Sequence, residues 1–564
     1  NRGTSVPGSA ISVEKGSVPL TPLLLAALPV FLIFLGANSI WDANEAFYVE
    51  TPRQMVISGD YVNPVFNDAP RLNKPVLSYW IVAGLYNLFG VSVAVERLGI
   101  ALGALGIIAA TFLIGRALRS TSTGLLAALF VATAPRFVMF SRRIFIDIYI
   151  TLFIALSLAF FVMAERFPEH RRRYLLLMYV AMGLGVLTKG PVAIALPLLA
   201  GGIWLAMEGR WRDVFRLHAV AGIAIVLAIV SPWYIAIVAE RGWDPLRQFV
   251  LGENVERFTT SMVPGAREFW FYVPVLLGDL FPWAPLVIVP LVAAWRPRAS
   301  EEDAAHASIR RLLWIWIVAI FVFFTISRTK QDLYLLPVAP AVAVLVADAL
   351  ESAGFGATHR GLRYGLLTIA IVTGLAGVGL PWLLGSGYYA VAGIWPTGGV
   401  LVATGVMAAV LILRGGFAPA IAVFAAGFVA LNYLFVARVL PDVERFKPVE
   451  PLARTFLSRA SPDARLGSYA IMLPSLVYYA GRPVTELPVA PYNAEGFLET
   501  TKPSGELAEA WLITGSNEWA EIQPLTPNAC VADRRHLFAF NEKLGRIASG
   551  VPPPDLLLIT NRCR

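Results

Sequence analysis

The sequence predicts a mostly α-helical, polytopic membrane protein that carries a small α/β domain at its C-terminal end. Of the 564 residues, 57% are hydrophobic and 15% are charged, whereas about a quarter of the residues in globular domains are charged. Apolar stretches of about 17 to 25 residues recur between Val18 and Phe435, and each could cross a hydrocarbon core about 30 Å thick. The sequence becomes more polar after Phe435, where the α/β domain is predicted.

About thirteen spans are predicted from this pattern. They are centred near residues 28, 103, 131, 153, 181, 198, 228, 283, 320, 342, 374, 405 and 426. The first, Val18–Ala37, is expected to remain uncleaved after a polar and mobile N-terminal segment, residues 1–17. Alternate loops carry an excess of arginine, which is typical of cytoplasmic loops. An odd number of spans then places the N-terminus inside and the tail outside.

Three divisions follow: residues 1–17 as a cytoplasmic segment, 18–440 as the transmembrane domain, and 441–564 as a soluble α/β domain on the outer side. In the tail, strands are predicted at "RLGSYAIM", "PVTEL" and "RHLFAFNE", and a helix closed by Gly481 at "PSLVYYAG". "GELAEAWLITG" is predicted as a helix followed by a strand. Cys530 and Cys563 both lie here, so a disulfide is expected in an oxidising compartment, with two free thiols as the alternative.

The outer face is predicted to carry the chemistry in three loops, residues 41–74, 240–272 and 328–334. In the first loop, Asp42 and Glu45 have capping-box spacing, which predicts a short helix to Glu50. A second helix is predicted from Thr51 to Gly59. Helix capping is the structural alternative to a functional role for Glu45.

The stretch "NDAPRLNKPVLSYW" places Lys74 and Pro75 before an apolar run. Proline suits the first position of a helix, and a helix N-terminus presents unpaired N–H groups with a partial positive charge. Lys74 beside it would therefore make an anion site, and at a bilayer surface the available anion is a phosphate. The alternative is a lysine that only extends towards lipid headgroups.

Two further charges stand at predicted span ends. Asp147 follows Arg142 and Arg143, so it either pairs with one of them or lines a polar cavity, since an unpaired carboxylate there is costly. Lys189 ends a span, where ordinary helix-dipole complementation is the alternative to a binding role.

Cations gather on the outer face, whereas a transporter is expected to place polar groups at the membrane midplane, often in repeated halves. Asp279 is the clear midplane candidate, and no inverted repeat is evident in the sequence. This pattern indicates a site for a lipid-linked phosphate. The cations are Lys74, Lys189, Arg257, Arg328 and Lys330. The five histidines lack metal-ligand spacing, but carboxylates could hold a hard cation, so a divalent metal is left open. The net charge of +8 suits anionic lipid, and no nucleic-acid module is present.

Five motifs occur in an order that resembles the bacterial aminoarabinose lipid A transferases of the GT-C superfamily, relatives of the protein O-mannosyltransferases. They lie within residues 18–350 and read "WDANEAFYVETPRQMVISGDYVNP", "LNKPVLSYW", "GLGVLTKGP", "EFWFYVPVLLGDLFPW" and "SRTKQDLYLLP". The resemblance implies a multi-pass enzyme of the bacterial inner membrane. It would move 4-amino-4-deoxy-L-arabinose from undecaprenyl phosphate to lipid A phosphates at the periplasmic face, giving resistance to cationic peptides such as polymyxin. Its partners would be this donor, lipid A and membrane lipids, with the chain a monomer, and a divalent metal stays open as a cofactor.

The resemblance also implies the site residues. The catalytic residues would be Glu45, Asp147 and Lys74. The donor phosphate and its lipid would be bound by Lys74, Tyr79, Lys189, Arg257, Lys330 and Tyr334, with support from Asp42, Asn44, Arg142, Arg267 and Arg328. Asn44 and Asn73 replace an aspartate and a glutamate of the family pattern, which leaves open which first-loop carboxylate is essential.

Two other functions stay open at this point. A related GT-C enzyme could transfer a hexose from a polyprenyl phosphate to protein or glycan, and Asp147 would then be needed as a base because the acceptor is a hydroxyl. From another class, a lipid flippase or transporter would consume no glycosyl donor.

Overall fold

The structure of the chain is a computed structural model. It describes residues 18–42, 44–143, 146–260, 267–294, 304–352, 360–386, 390–537 and 553–563. The predicted mobile segment, residues 1–17, lies outside the described residues.

The first half is a series of helices interrupted by one short antiparallel hairpin, β1 Val65–Phe66 with β2 Ala69–Pro70. Ser92 and Ser120 cap two of these helices, each accepting a backbone N–H of the first turn. The helices are α1 Leu20–Ala27, α2 Asn44–Ser58, α3 Leu77–Phe89, α4 Val93–Leu118, α5 Thr121–Thr133, α6 Pro135–Phe140, α7 Ile146–Arg166, α8 Arg171–Lys189, α9 Val192–Met207 and α10 Ala219–Arg241.

The second half of the membrane part begins with α11 Asp244–Val250, which continues through a π-helical turn, Leu251–Glu256, into α12 Arg257–Thr259. The remaining helices are α13 Tyr272–Asp279, α14 Ile288–Ala294, α15 Ala304–Ile326, α16 Ala339–Ser352, α17 Arg360–Leu384, α18 Ile394–Leu413, α19 Phe417–Leu434 and α20 Leu440–Glu444.

The chain is a multi-pass membrane protein. Within the described ranges, eight helices are long and apolar enough to cross a membrane, or up to nine if the pair Phe269–Asp279 and Ala284–Val292, bent by 109°, is one span. All thirteen predicted centres lie in helices or at the break of this pair, but several of these helices are shorter, such as Leu20–Phe31 in place of the predicted Val18–Ala37. The total of thirteen therefore stays a prediction.

The helix ends separate two kinds of charged loop. In the antiparallel pair α7 and α8, Asp147 and Lys189 lie at one end, and Arg166 and Arg171 lie at the other. Arg210 of the next arginine-rich loop lies at this second end too, because it pairs with Glu165 in the last turn of α7 at 2.7 Å. The candidate site residues are thus collected at the opposite face from the arginine-rich loops.

The first loop folds differently from its prediction. One helix, α2, replaces the two predicted, because Glu50 accepts hydrogen bonds from Arg53 (2.9 Å) and Gln54 (2.5 Å) and so links the turns on both sides of Pro52. Gly59 ends the helix with φ +72°, a conformation that glycine adopts without strain. Helix α3 begins at Leu77, two residues later than predicted.

The tail forms a five-stranded mixed sheet with strand order β4-β3-β5-β7-β6. Its strands are β3 Arg465–Tyr469, β4 Thr485–Leu487, β5 Ala510–Gly515, β6 Cys530–His536 and β7 Asp555–Thr560, and its helices are α21 Val449–Arg459, α22 Pro474–Ala480, α23 Pro491–Leu498 and α24 Ser516–Ile522. Leu452 and Phe456 of α21 pack with Leu466 and Trp511 of the sheet in one buried cluster. The expected disulfide joins Cys530 and Cys563.

Four of the six elements predicted in the tail are confirmed, β3, β4, β5 and α22, the last closed by Gly481 with φ +65°. The helix predicted at "GELAEA" is wrong, because Gly505 (φ +82°) makes a turn there and Thr501 pairs with Leu507 as a β-bridge. Of the strand predicted at "RHLFAFNE", Arg535 and His536 lie in β6, and residues 538–542 lie outside the described residues. The mostly α fold with a small sheet near the C-terminus is confirmed.

Candidate active site

Two carboxylates and three cations meet at the outer helix ends, and we call Lys74, Asp147, Lys189, Glu253 and Arg257 the lysine cluster. Glu253 joins two of the cations: its Oε2 contacts Lys74 Nζ and lies 3.0 Å from Arg257 Nε. Lys74 Nζ also donates to the Asn73 carbonyl at 3.1 Å. Lys74 and Glu253 keep 14% and 16% of their side-chain surface exposed, so solvent and ligands can reach the pair.

Asp147 and Lys189 form the second ion pair of the lysine cluster. Asp147 was predicted either to pair with Arg142 or Arg143 or to line a polar cavity. The structure gives it an ion pair with Lys189, because α8 ends beside the start of α7 and brings Lys189 to the carboxylate. Lys189 Nζ lies 4.9 Å from the centre of the Tyr334 ring, and Tyr334 also interacts electrostatically with Arg257. Tyr334 therefore connects the two ion pairs.

The three cations outnumber the two carboxylates, and this excess of positive charge acts together with burial on the pKa values of Lys74 and Glu253. Burial, reinforced by Arg257 and Lys189, lowers the pKa of Lys74 to about 8, although Glu253 opposes the shift. Burial alone would raise the pKa of Glu253, but Lys74 and Arg257 together hold it below its usual value. The cluster is thus a site of net positive charge that would gain from an added anion.

A cavity of about 620 Å³ opens beside the lysine cluster. Its wall includes Glu253, Asn73 and Gln248, together with Arg71 and Asp244. The Arg71 guanidinium lies 3.4 Å from the centre of the Phe47 ring. Tyr79 is fully buried, and its ring stacks on that of Tyr48 with the ring centres 5.4 Å apart, which is a packing contact.

A second group of charges, which we call the arginine cluster, consists of Glu45, Arg97, Arg142, Arg143 and Lys447. Glu45 accepts from the Trp41 backbone N–H at 2.5 Å and from Arg97 Nε at 2.7 Å, and its exposure is 2%. Glu45 therefore has a structural role in the first loop, although it accepts from the Trp41 N–H and not from that of Asp42, which the predicted capping box requires. Arg97 also donates to the backbone carbonyls of residues 35, 38 and 39.

The other members of the arginine cluster bind backbone and aromatic groups. Arg142 donates to the carbonyls of Val30 and Ile33 at 2.6 and 2.7 Å. Arg143 and Lys447 lie 3.9 and 4.1 Å from the Trp41 ring centre.

Asp42 does not complete the predicted capping box. It accepts hydrogen bonds from the backbone N–H and the hydroxyl of Ser475 at 2.7 and 2.6 Å, and so connects the first loop to the tail. Because burial outweighs these bonds, the pKa of Asp42 is raised.

The remaining predicted residues have no described contact with the lysine cluster. Lys330 is buried and donates to the Ser327 carbonyl at 2.9 Å. Arg267 lies 4.5 Å from the Phe271 ring centre, and the Arg328 side chain is exposed. Asn44 is the first residue of α2, and its side chain lies outside the described part.

Three structural partners were missed in the sequence. Glu253 has i,i+4 spacing to Arg257, a signal that could have identified the pair. Arg97 lies inside a span, where charge is costly, so a buried partner could have been expected. Arg136 pairs with Asp279 at 2.8 Å and with Asp332 at 2.5 Å, and no local spacing indicates these contacts. Among the described residues, no group of three or more His, Cys, Asp or Glu side chains could hold a metal ion.

Comparison with known proteins confirms the resemblance predicted from the motifs. The sequence model of the dolichyl-phosphate-mannose-protein mannosyltransferases matches residues 21–241. An undecaprenyl phosphate-alpha-4-amino-4-deoxy-L-arabinose arabinosyl transferase of Pseudomonas paraeruginosa is 31% identical over 62% of this chain and 63% of the relative. A second enzyme of that name, from Sodalis glossinidius, is 32% identical over the same shares. The chain thus aligns with less than two thirds of these relatives' length.

Solved structures confirm the GT-C fold. The crystal structure of ArnT from Cupriavidus metallidurans bound to undecaprenyl phosphate matches with a TM-score of 0.78, at 22% identity, over 96% of this chain and 98% of that one. The apo state of the same protein gives a TM-score of 0.74.

Proposed function

We propose that this relative of the aminoarabinose transferases, which shares their GT-C fold, is an inverting glycosyltransferase that uses a polyprenyl-phosphate sugar. The donor would be undecaprenyl phosphate carrying 4-amino-4-deoxy-L-arabinose, and the acceptor a phosphate group of lipid A. The observation that carries the proposal is the lysine cluster, a partly exposed site of excess positive charge beside a cavity of about 620 Å³. The named relatives and the fold support the same reaction.

In the proposed reaction, the bond between the sugar's anomeric carbon and the oxygen of undecaprenyl phosphate breaks, while a lipid A phosphate oxygen forms a new bond to that carbon. A phosphate monoester has a second pKa near 6, so the acceptor is largely ionised at neutral pH and needs little help from a base. The demanding step is the stabilisation of the departing phosphate, which gains negative charge. Lys74, Arg257 and the Tyr334 hydroxyl are the donors we assign to it.

The carboxylates take supporting roles in this proposal. Asp147 holds Lys189 beside Tyr334 and could orient the substrates from there. Glu45 is bound by Arg97 and the Trp41 backbone, so we assign it to shaping the first loop. Asn44 and Asn73 therefore fit a mechanism in which a first-loop carboxylate does not abstract a proton.

We further propose placement in the bacterial inner membrane, with residues 1–17 cytoplasmic, residues 18–440 as the catalytic membrane domain, and residues 441–564 in the periplasm. The arginine-rich loops at the face opposite the lysine cluster favour this orientation. The disulfide between Cys530 and Cys563 suits an oxidising compartment. Aminoarabinose on lipid A reduces its negative charge, which would give resistance to cationic peptides.

The proposal is tested by expressing the chain in a Gram-negative strain that lacks its own aminoarabinose transferase but still makes the donor. We expect lipid A to gain the mass of aminoarabinose with the wild-type chain. The gain should disappear with Lys74→Ala, because loss of one preorganised donor typically lowers a rate about 100- to 1,000-fold. Lys502→Ala is the matched control, because Lys502 is an exposed tail lysine. No mass gain from a well-expressed wild-type chain would contradict the proposal.

A second candidate is transfer of a hexose to a protein or glycan hydroxyl, favoured by the match of residues 21–241 to protein mannosyltransferases. A hydroxyl has to lose its proton, so this reaction would require Asp147 as a base. The same strain distinguishes the two, because hexose would then appear on protein or glycan while the lipid A mass stayed constant.

A further inference from the structure

Glu253 occupies the hydrogen-bonding groups that a donor phosphate would need. Its two carboxylate oxygens face Arg257 side by side, with Oε2 3.0 Å from Nε and Oε1 3.3 Å from Nη2. Its Oε2 also contacts Lys74 Nζ. A carboxylate and a phosphate take the same two-pronged face of an arginine, so they compete for it.

Lys74 has few free N–H groups with which to bind a phosphate in addition to the Glu253 carboxylate. Of its three N–H groups, one already donates to the Asn73 carbonyl and one to Glu253. A phosphate that takes the two-pronged face of Arg257, and that binds Lys74 as Glu253 does, therefore has to displace the Glu253 carboxylate.

The displaced carboxylate can turn into the cavity of about 620 Å³ that Glu253 already lines. The polar residues of the wall include Asn73, Gln248 and Asp244 and two cations, Arg71 and Arg241. The Oδ1 atom of Asn73 is buried there and accepts no hydrogen bond from the described residues. A cavity of this size and polarity accommodates a single sugar ring with its hydroxyl groups.

We propose that Glu253 stands in for the donor phosphate in the empty site, and that donor binding releases it into the cavity, where it binds the positively charged amine of the transferred sugar. A carboxylate that loses both cationic partners is destabilised unless a new cation replaces them. Arg71 and Arg241 of the cavity wall are already engaged, Arg71 by the Phe47 ring and Arg241 by the Asn63 amide oxygen. The sugar's ammonium therefore supplies that cation, and the arrangement selects donors that carry an amine over neutral ones. The release of Glu253 by the donor phosphate is the phosphate arm of this inference, and the binding of the sugar's amine by Glu253 is its amine arm. The amine arm depends on the proposed function, whereas the phosphate arm depends on polyprenyl-phosphate binding alone.

The phosphate arm is tested with undecaprenyl phosphate, which carries no sugar. We expect Glu253→Gln to bind it about tenfold more tightly than the wild type, an effect equal to one charge-assisted hydrogen bond. Binding of full-length protein in nanodiscs is measured near pH 6, below the Lys74 pKa of about 8, so that Lys74 keeps its proton. Glu256→Gln is the matched control, since Glu256 lies on the same turn with an exposed side chain. Unchanged or weaker binding by Glu253→Gln would overturn the stand-in role.

The amine arm is tested with two synthetic donors, undecaprenyl phosphate carrying 4-amino-4-deoxy-L-arabinose or L-arabinose. The wild type should prefer the amino sugar in kcat/KM by about 100-fold, and Glu253→Gln should reduce this preference to below about tenfold, because the cation loses its partner. A preference that survives in Glu253→Gln would overturn the amine role. If the wild type used neither donor, the proposed function would fail while the phosphate arm still stood on its own measurement.

Discussion

The lysine cluster and the arginine cluster contain similar residues but satisfy their charges in different ways. In the lysine cluster, the cations pair with side-chain carboxylates, as Lys74 does with Glu253 and Lys189 with Asp147. In the arginine cluster, Arg97 and Arg142 donate to five backbone carbonyls, and Arg97 is 3% exposed. Side-chain pairs can exchange for a ligand by rotation, whereas backbone carbonyls cannot leave without unfolding the loop. The difference assigns ligand binding to the first cluster and loop support to the second.

The strongest test of this comparison is Arg97→Ala. It leaves Glu45 buried without its cation and three carbonyls without their donor, which is expected to cost about 3 to 5 kcal/mol of stability. Lys74→Ala, in the partly exposed lysine cluster, should cost less, because Glu253 keeps Arg257 as its cation. Thermal unfolding in detergent measures both. If Arg97→Ala and Lys74→Ala lost the same stability, the distinction between a structural cluster and a ligand-binding cluster would be wrong.

Asp147→Asn separates binding from stability within the lysine cluster. Removal of the Asp147 charge frees Lys189 from its fixed position, and we expect transfer to slow about 100-fold, with a small change in melting temperature. The rate is measured with purified protein and the lipid-linked donor. Asp68→Asn is a suitable control, since Asp68 is an exposed carboxylate of the hairpin turn. If Asp147→Asn lowered the melting temperature as much as Arg97→Ala does, Asp147 would have a structural role and not a role in binding.

Most of the fold followed from the sequence because span length and helix signals are local. The helix closed by Gly481 and the start of α7 before Asp147 depend on nearby residues, so they could be predicted. The partners of the charges could not, since Lys74 and Glu253 lie 179 positions apart. Such contacts are set by how helices pack, and even Asp42, with ideal capping spacing, turned to Ser475 of the tail instead.

The contact of Asp42 with Ser475 predicts that the tail supports the arginine cluster. Ser475→Ala removes one hydrogen bond to a charged group and should destabilise the protein by about 1.5 to 3 kcal/mol. A double-mutant cycle with Asp42→Ala measures the coupling between first loop and tail by thermal unfolding. Ser458→Ala serves as the control, because Ser458 is exposed and bonds within its own helix. Additive effects of the two substitutions would show that the contact carries no coupling energy.

The smallest expected effect concerns pH, and it isolates Lys74 from the other cations. Lys74 faces Glu253 and Arg257 of the outer loop, Lys189 of α8 and, through Lys189, Asp147 and Tyr334. Burial lowers its pKa to about 8, and a phosphate binds the protonated form, so affinity is complete below that pH and falls as the pH rises through it. The decline should approach about tenfold per pH unit, since a single proton is lost.

Binding of undecaprenyl phosphate between about pH 7 and pH 10 measures this decline, and over most of that range the ligand keeps its second charge because its own pKa is near 6. Lys74→Arg is the matched variant, since a guanidinium stays protonated throughout and should give a nearly flat profile. In the arginine cluster, Lys447 also has its pKa lowered to about 8. Because the arginine cluster is assigned to loop support and not to phosphate binding, Lys447→Arg should keep the wild-type decline of affinity with pH. If the decline of affinity with pH disappeared in Lys447→Arg but persisted in Lys74→Arg, the phosphate would bind at the arginine cluster, and the roles assigned to the two clusters would be wrong.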